Sequence, residues 1–121
     1  MEFPYSRLHA YQAAAAFVVT VDVITTALPR GRAYLVDQLR RAATSSIQAN
    51  LAEGAGEFSA PDKARFYRMA LRSAAECGAL LDQCADLKLS DEDAVYEARV
   101  LLDRVIAMTT RLVQRFSGGS G

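Results

Sequence analysis

Seven apolar or small residues, Phe66, Ala70, Ser73, Cys77, Leu80, Cys84 and Leu87, recur at steps of four and three without an intervening proline. A strand would alternate by two, so the spacing predicts a helix with one apolar stripe. Such a stripe must be covered, and the four-three step is the seam of helices packed at a shallow angle. Just upstream, Ser59-Ala60-Pro61-Asp62 combines a capping hydroxyl, a first-turn proline and an acid facing the positive end of the helix dipole. Ser73, Ala74, Ala75 and Gly78 lie mid-helix, and a helical glycine costs about 1 kcal/mol relative to alanine. These small residues predict close approach of a neighbouring backbone.

Three further segments carry the same pattern. Ser6 is the expected N-cap of a first helix running to about Ala27, where Leu28-Pro29-Arg30-Gly31 breaks it. Its stripe is Ala10, Ala14, Phe17, Val21, Ile24 and Leu28, widened by Leu8, Tyr11, Ala15 and Val18. A second helix is expected from about Arg32 to Ala52, with Leu35, Leu39, Ala42, Ser46 and Ala49 on one row and Val36, Ala43, Ile47 and Asn50 beside it. Gly54 stands where a left-handed C-cap would end that helix, with Gly56 in the loop. Ser90 would cap a fourth helix whose first turn holds Asp91, Glu92 and Asp93, and whose seam is Val95, Ala98, Leu102, Val105, Thr109, Leu112 and Phe116. Four helices with short connections predict an all-α, antiparallel up-and-down four-helix bundle spanning residues 1–116. Residues 117–121 read as a flexible, linker-like tail.

Composition excludes several function classes. The 121 residues suffice for one domain and carry no net charge, so no global field attracts nucleic acid, an anionic membrane or an acidic substrate. The first residues lack the basic segment, apolar core and small-residue cleavage site expected of a secretory signal, and the alanine and threonine content of the first helix is weak hydrophobicity for a bilayer. Cys77 and Cys84 lie about 10 Å apart along one helix, too far for a disulfide. They read as buried thiols of a cytoplasmic protein.

No constellation for chemistry emerges. His9 is the single histidine, so Glu-x-x-His metal pairs are ruled out, and neither cysteine has a partner at zinc-ligand spacing. Both thiols sit on the apolar seam without a base nearby. Gly54-Ala55-Gly56 lacks the lysine and hydroxyl of a phosphate loop and follows no strand. No catalytic residue, metal, cofactor or small-molecule substrate is therefore expected. Asn50, Glu53 and Glu76 border the apolar rows and are candidates for a structural polar network.

Arginine outnumbers lysine twelve to two. Arg65, Arg68 and Arg72 share one helix face, Arg104, Arg111 and Arg115 share another, and Arg40 and Arg41 add charge to the second helix. Guanidinium binds phosphate in bidentate fashion, so Arg40, Arg41, Arg65, Arg68 and Arg72 are the candidate nucleic-acid contacts.

The stretch Gln38-Leu39-Arg40-Arg41-Ala42-Ala43 followed by Ser46-Ile47-Gln48-Ala49-Asn50-Leu51-Ala52-Glu53-Gly54 resembles the signature of the ribosomal-RNA intervening-sequence proteins. Phe66-Tyr67-Arg68-Met69-Ala70-Leu71-Arg72-Ser73-Ala74-Ala75-Glu76 is similar to that family's second block, and Leu8-His9-Ala10-Tyr11-Gln12-Ala13-Ala14 to its opening one. The resemblance implies a homopentamer of four-helix bundles without catalytic activity. The accessory proteins of diversity-generating retroelements look similar in architecture and bind a reverse transcriptase and nucleic acid, but they are strongly basic.

Beside a small-molecule or catalytic bundle, which would require a polar pocket around Asn50, Glu53 and Glu76, and a retroelement-type accessory protein binding a reverse transcriptase, two functions from different classes lead. One is a non-enzymatic oligomeric adapter for RNA or a nucleoprotein partner through the arginine rows. The other is a protein-interaction scaffold whose first and fourth helices make the subunit contacts while the arginines are merely solvated.

Overall fold

The computed structural model describes residues 2–118 and is built of helices alone among them. A 3-10 turn, Pro4–Arg7, leads into α1, His9–Thr26. Helix α2 covers residues 33–56 in three contiguous stretches: α-helical Ala33–Arg41, π-helical Ala42–Gln48 and α-helical Ala49–Gly56. Helix α3 is Ala60–Asp86 and α4 is Glu92–Phe116.

Contacting pairs fix the directions. Gly78 faces Leu102, Asp82 pairs with Arg99 and Tyr67 packs on Phe116, so α3 and α4 are antiparallel. His9 lines a groove with Arg111 while Ala16 lines one with Leu101, which makes α1 and α4 antiparallel as well. Gly54 meets Tyr67, and Arg40 reaches Thr25, completing an up-down-up-down ring of four. The expected bundle is the observed one.

Ser59 caps α3 as expected, its hydroxyl accepting from the Asp62 amide at 3.2 Å. Two other expected caps move. Ser6 serves the short 3-10 turn, accepting from the Phe3 amide at 3.3 Å, and the α1 N-cap moves on two residues to Leu8. A turn beginning with Pro4 uses up the serine before the long helix begins. Asp91, not Ser90, caps α4, because its carboxylate reaches the Ala94 amide at 3.3 Å.

The third expectation to fall is the Gly54 C-cap. Helix α2 continues to Gly56 and Gly54 is a buried helical residue without positive φ. The chain leaves α2 through extended backbone at Glu57, while the positive φ of 89° at Gly31 belongs to the expected break between α1 and α2. Between α3 and α4 it turns at Lys88, whose φ is 55°.

The core combines the predicted rows with a shift. Ala10, Ala14, Phe17, Val21 and Ile24 of α1 are buried, and so are Val95, Ala98, Leu102, Val105 and Thr109 of α4. On α3 the buried set is Ala64, Tyr67, Ala70, Ala74, Cys77, Leu80, Leu81 and Cys84. Leu87 is exposed and Phe66 and Ser73 are half-buried, so the seam is wider and centred one position later than the four-three spacing suggested. On α2, Leu35, Leu39, Ala42, Ala43, Ile47 and Leu51 are buried while Ala49 is exposed. The π stretch has more residues per turn than an α-helix, so it rotates the buried stripe onto Ile47, Leu51 and Gly54. Of the expected tail, Ser117 and Gly118 form a turn, and residues 119–121 lie outside the described residues.

Candidate nucleic-acid interface

The five candidate arginines do not form one patch. Arg40 is tied to α1: its Nε donates to Thr25 Oγ1 at 2.9 Å, its Nη2 to Thr26 Oγ1 at 3.3 Å, and Asp22 lies 3.8 Å away. Thr25 is buried and donates to the Val21 carbonyl at 2.8 Å, so Arg40 finishes a hydrogen-bonded joint between α1 and α2. Arg41 is exposed on the same helix. Arg65, Arg68 and Arg72 do share the outer face of α3, all exposed. The Arg65 guanidinium lies 4.6 Å from the Phe66 ring centroid and 3.9 Å from Asp62, and Arg68 donates to Ser117 Oγ at 2.8 Å.

The Arg68 contact carries the α3 row to the C-terminus of α4. There Phe116 packs against Tyr67 at 6.0 Å between centroids, with the Arg115 guanidinium at 5.1 Å and the Lys63 ammonium at 5.7 Å from its ring. Lys63 Nζ also donates to the carbonyls of Gly54 at 3.2 Å and Ala55 at 3.0 Å, placing a cation at the negative end of α2. Arg7, His9 and Arg111 rim a groove of about 450 Å³ floored by Leu8, Met108 and Leu112 at the same end of the bundle. Arg7 is paired with Glu2 at 2.8 Å.

Charge is therefore segregated along the bundle. The end formed by residues 2–13, 50–70 and 108–118 holds Arg7, Lys63, Arg65, Arg68, Arg111 and Arg115 with His9, against Glu2, Glu53, Glu57 and Asp62. The opposite end, residues 18–40 and 80–99, holds eight carboxylates against five cations. Phenylalanine is concentrated with the cations, while Tyr34 and Tyr96 lie at the other end. Phe3, Phe58, Phe66 and Phe116 are all at the basic end, and Phe17 alone is in the core. Tyr5 stacks on Phe3 there at 5.4 Å and meets the tilted Tyr11 ring at 4.6 Å. Periodicity could not reveal this grouping, because the contributing segments come from four separate helix ends.

Asn50, Glu53 and Glu76 are not brought together as a network. Glu53 and Glu76 are exposed, Asn50 is half-buried, and no hydrogen bond links the three among the described residues. Both cysteines are free and buried. Burial, reinforced by the Glu76 carboxylate, pushes the Cys77 thiol up to about 12. Burial also raises Cys84, against the opposing pull of the Ser90 hydroxyl. Neither thiol is set up as a thiolate nucleophile. No group of three or more His, Cys, Asp or Glu residues converges at metal-binding distance among the described residues. No helix there is long and apolar enough to cross a membrane.

The resemblance carried by the Asn50 to Gly54 block extends along almost the entire bundle, for the sequence model of the 23S rRNA-intervening sequence proteins matches residues 6–111. The chain belongs to that family. No curated protein matches it. The structure gives the family block a physical reading. Leu51 is buried, Asn50 half-buried, and Gly54 receives the Tyr67 ring from the second block, so the two motifs meet across the α2–α3 contact.

Proposed function

We propose that this protein is a non-enzymatic, homo-oligomeric adapter that binds RNA, alone or in a nucleoprotein partner, through the basic end of its bundle. The family resemblance suggests five subunits, and the two buried free thiols suit a reducing, cytoplasmic setting. The observation that carries the reading is the gathering of six cations and four phenylalanines at one end of a chain with no net charge. Phosphate binding needs local rather than global charge, and guanidinium groups beside aromatic rings suit a nucleic-acid strand. Of the candidate contacts, Arg65 and Arg68 lie at that end, joined by Arg111 and Arg115, while Arg41 and Arg72 lie further along their helices. Arg40 is better explained as a structural tie.

A second reading is favoured by a different feature. Val19 and Val23 are 65% and 61% exposed on the side of α1 that lines the α1–α4 groove, and Tyr96 and Val100 are exposed on α4. Apolar side chains in this arrangement suit a subunit contact and support a protein scaffold in which the arginines are only solvated. The two readings share the oligomer and differ in the ligand.

A native mass spectrum of protein purified without nuclease tests both. A five-fold assembly with retained RNA, released by added salt, is the expected result. A bare five-fold assembly that binds no RNA at low salt would overturn the RNA reading and leave the scaffold. A monomer would overturn the quaternary part of both.

A further inference from the structure

We infer that the basic end takes unpaired rather than duplex RNA, with a base stacked on Phe58 while the arginines hold the phosphates. This rests on the RNA-binding reading above and specifies its ligand.

Phe58 is the residue before the α3 N-cap, Ser59. An apolar side chain there ordinarily packs against the fourth residue of the helix and fixes the entry of the chain. That fourth residue is Lys63, whose ammonium is committed to the α2 carbonyls and the Phe116 ring. Phe58 is left with no staple partner and is fully exposed, at 101%. The ring therefore contributes nothing to the core, and it stands two residues before a groove of about 400 Å³ lined by Ala60, Ala64, Arg68 and Phe116. Arg65 lies across the half-buried Phe66 ring one helical turn further on, and Arg115 lies over Phe116.

The fully exposed Phe58 ring offers a free stacking face, and the arginines that lie over the half-buried Phe66 and Phe116 rings supply phosphate-binding groups in the same part of the bundle. Bases in a duplex are already stacked on one another, whereas unpaired bases offer free faces, and every base has one. Glu57 and Asp62 flank Phe58 in sequence, and Asp62 is partly neutralised by Arg65 at 3.9 Å.

The test is fluorescence anisotropy with the full chain at low salt, using a labelled single-stranded oligouridylate and a labelled RNA duplex of equal length. The single strand is expected to bind more tightly. Phe58→Ala should weaken single-strand binding by roughly tenfold, as for loss of one stacked base, and leave duplex binding and the salt slope unchanged. Phe58→Tyr should retain the affinity. Arg68→Ala should weaken both ligands and flatten the salt slope. Duplex binding as tight as single-strand binding, or full affinity in Phe58→Ala, would overturn the stacking inference while the RNA reading stood. Binding of neither ligand would overturn both. A drop in subunit count in Phe58→Ala would make a second copy of the chain the occupant and also overturn the inference.

Discussion

Gly54 carries no side chain, and Tyr67 occupies the space. A Cβ at position 54 would stand 2.6 Å from Tyr67 Cε1 and 2.9 Å from Cδ1, inside any tolerated contact, and the ring belongs to a fully buried side chain. Gly54→Ala should gain helix propensity yet lose about 1–3 kcal/mol of stability through overpacking. Thermal melts would measure it, and in a Tyr67→Ala background, itself less stable by about 3–5 kcal/mol, the added cost of Gly54→Ala should disappear. Cys77 marks a second residue-scale consequence. Its thiol keeps its proton to about pH 12 in the folded state against an ordinary value of 9.0, so the folded chain binds more protons than the unfolded one between those limits. That contribution to stability is complete below pH 9 and declines by about 1.4 kcal/mol per pH unit as pH rises toward 12. Cys84 and Tyr67, both raised by burial, act in the same direction. Denaturant midpoints should hold steady from pH 6 to 8 and fall steeply beyond 9, less steeply in Cys77→Ala. The sequence revealed both thiols as buried because they sat on the apolar seam. It misread Gly54, since a glycine near a helix end and a glycine beneath a ring look alike until Tyr67 is known to reach it.

At the scale of the helices, existence and order were legible and phase was not. The α1 and α4 rows were read correctly because each helix keeps one period throughout. Helix α2 changes period at Ala42–Gln48, and a row counted by fours and threes from Leu35 arrives at Ala49 when the buried position is Leu51. Nothing in Ala-Ala-Thr-Ser-Ser-Ile-Gln announces a wide turn, because it is imposed by the packing on either side. Helix α3 shows a milder failure. Gly78 was read as a close-approach site, yet a Cβ there would meet Leu102 Cδ2 at 3.8 Å, an ordinary contact. Gly78→Ala should therefore stabilise the bundle by up to about 1 kcal/mol, the helix-propensity difference. A raised chemical-denaturation midpoint with an unchanged slope would confirm it; a lowered midpoint would mean that the small residue serves a neighbouring subunit.

For the whole molecule, the arginines were visible in the sequence and their grouping was not. Two rows on α3 and α4 could be counted, but their meeting around Phe116, and the removal of Arg40 to a joint with Thr25, depend on which helix ends are neighbours. The exposed valines of α1 belong to this scale too. Val19→Asp combined with Val23→Asp replaces two surface side chains, so the subunit should fold normally by circular dichroism. If the α1–α4 face is the subunit contact, the double variant should appear as a monomer in native mass spectra. Retention of the full assembly would move the contact elsewhere.

The separation of charge along the bundle has a consequence that the balanced composition conceals. With eight carboxylates against five cations at one end and an excess of cations at the other, a chain of zero net charge behaves as an electric dipole. It should adhere to anion- and cation-exchange resins alike, in opposite orientations, when its pI near neutrality would have it run through both. Near any polyanion the molecule would turn before it touched, presenting Phe58, Arg68 and Arg115 first and holding its acidic loop, with Lys88 at its apex, pointing away.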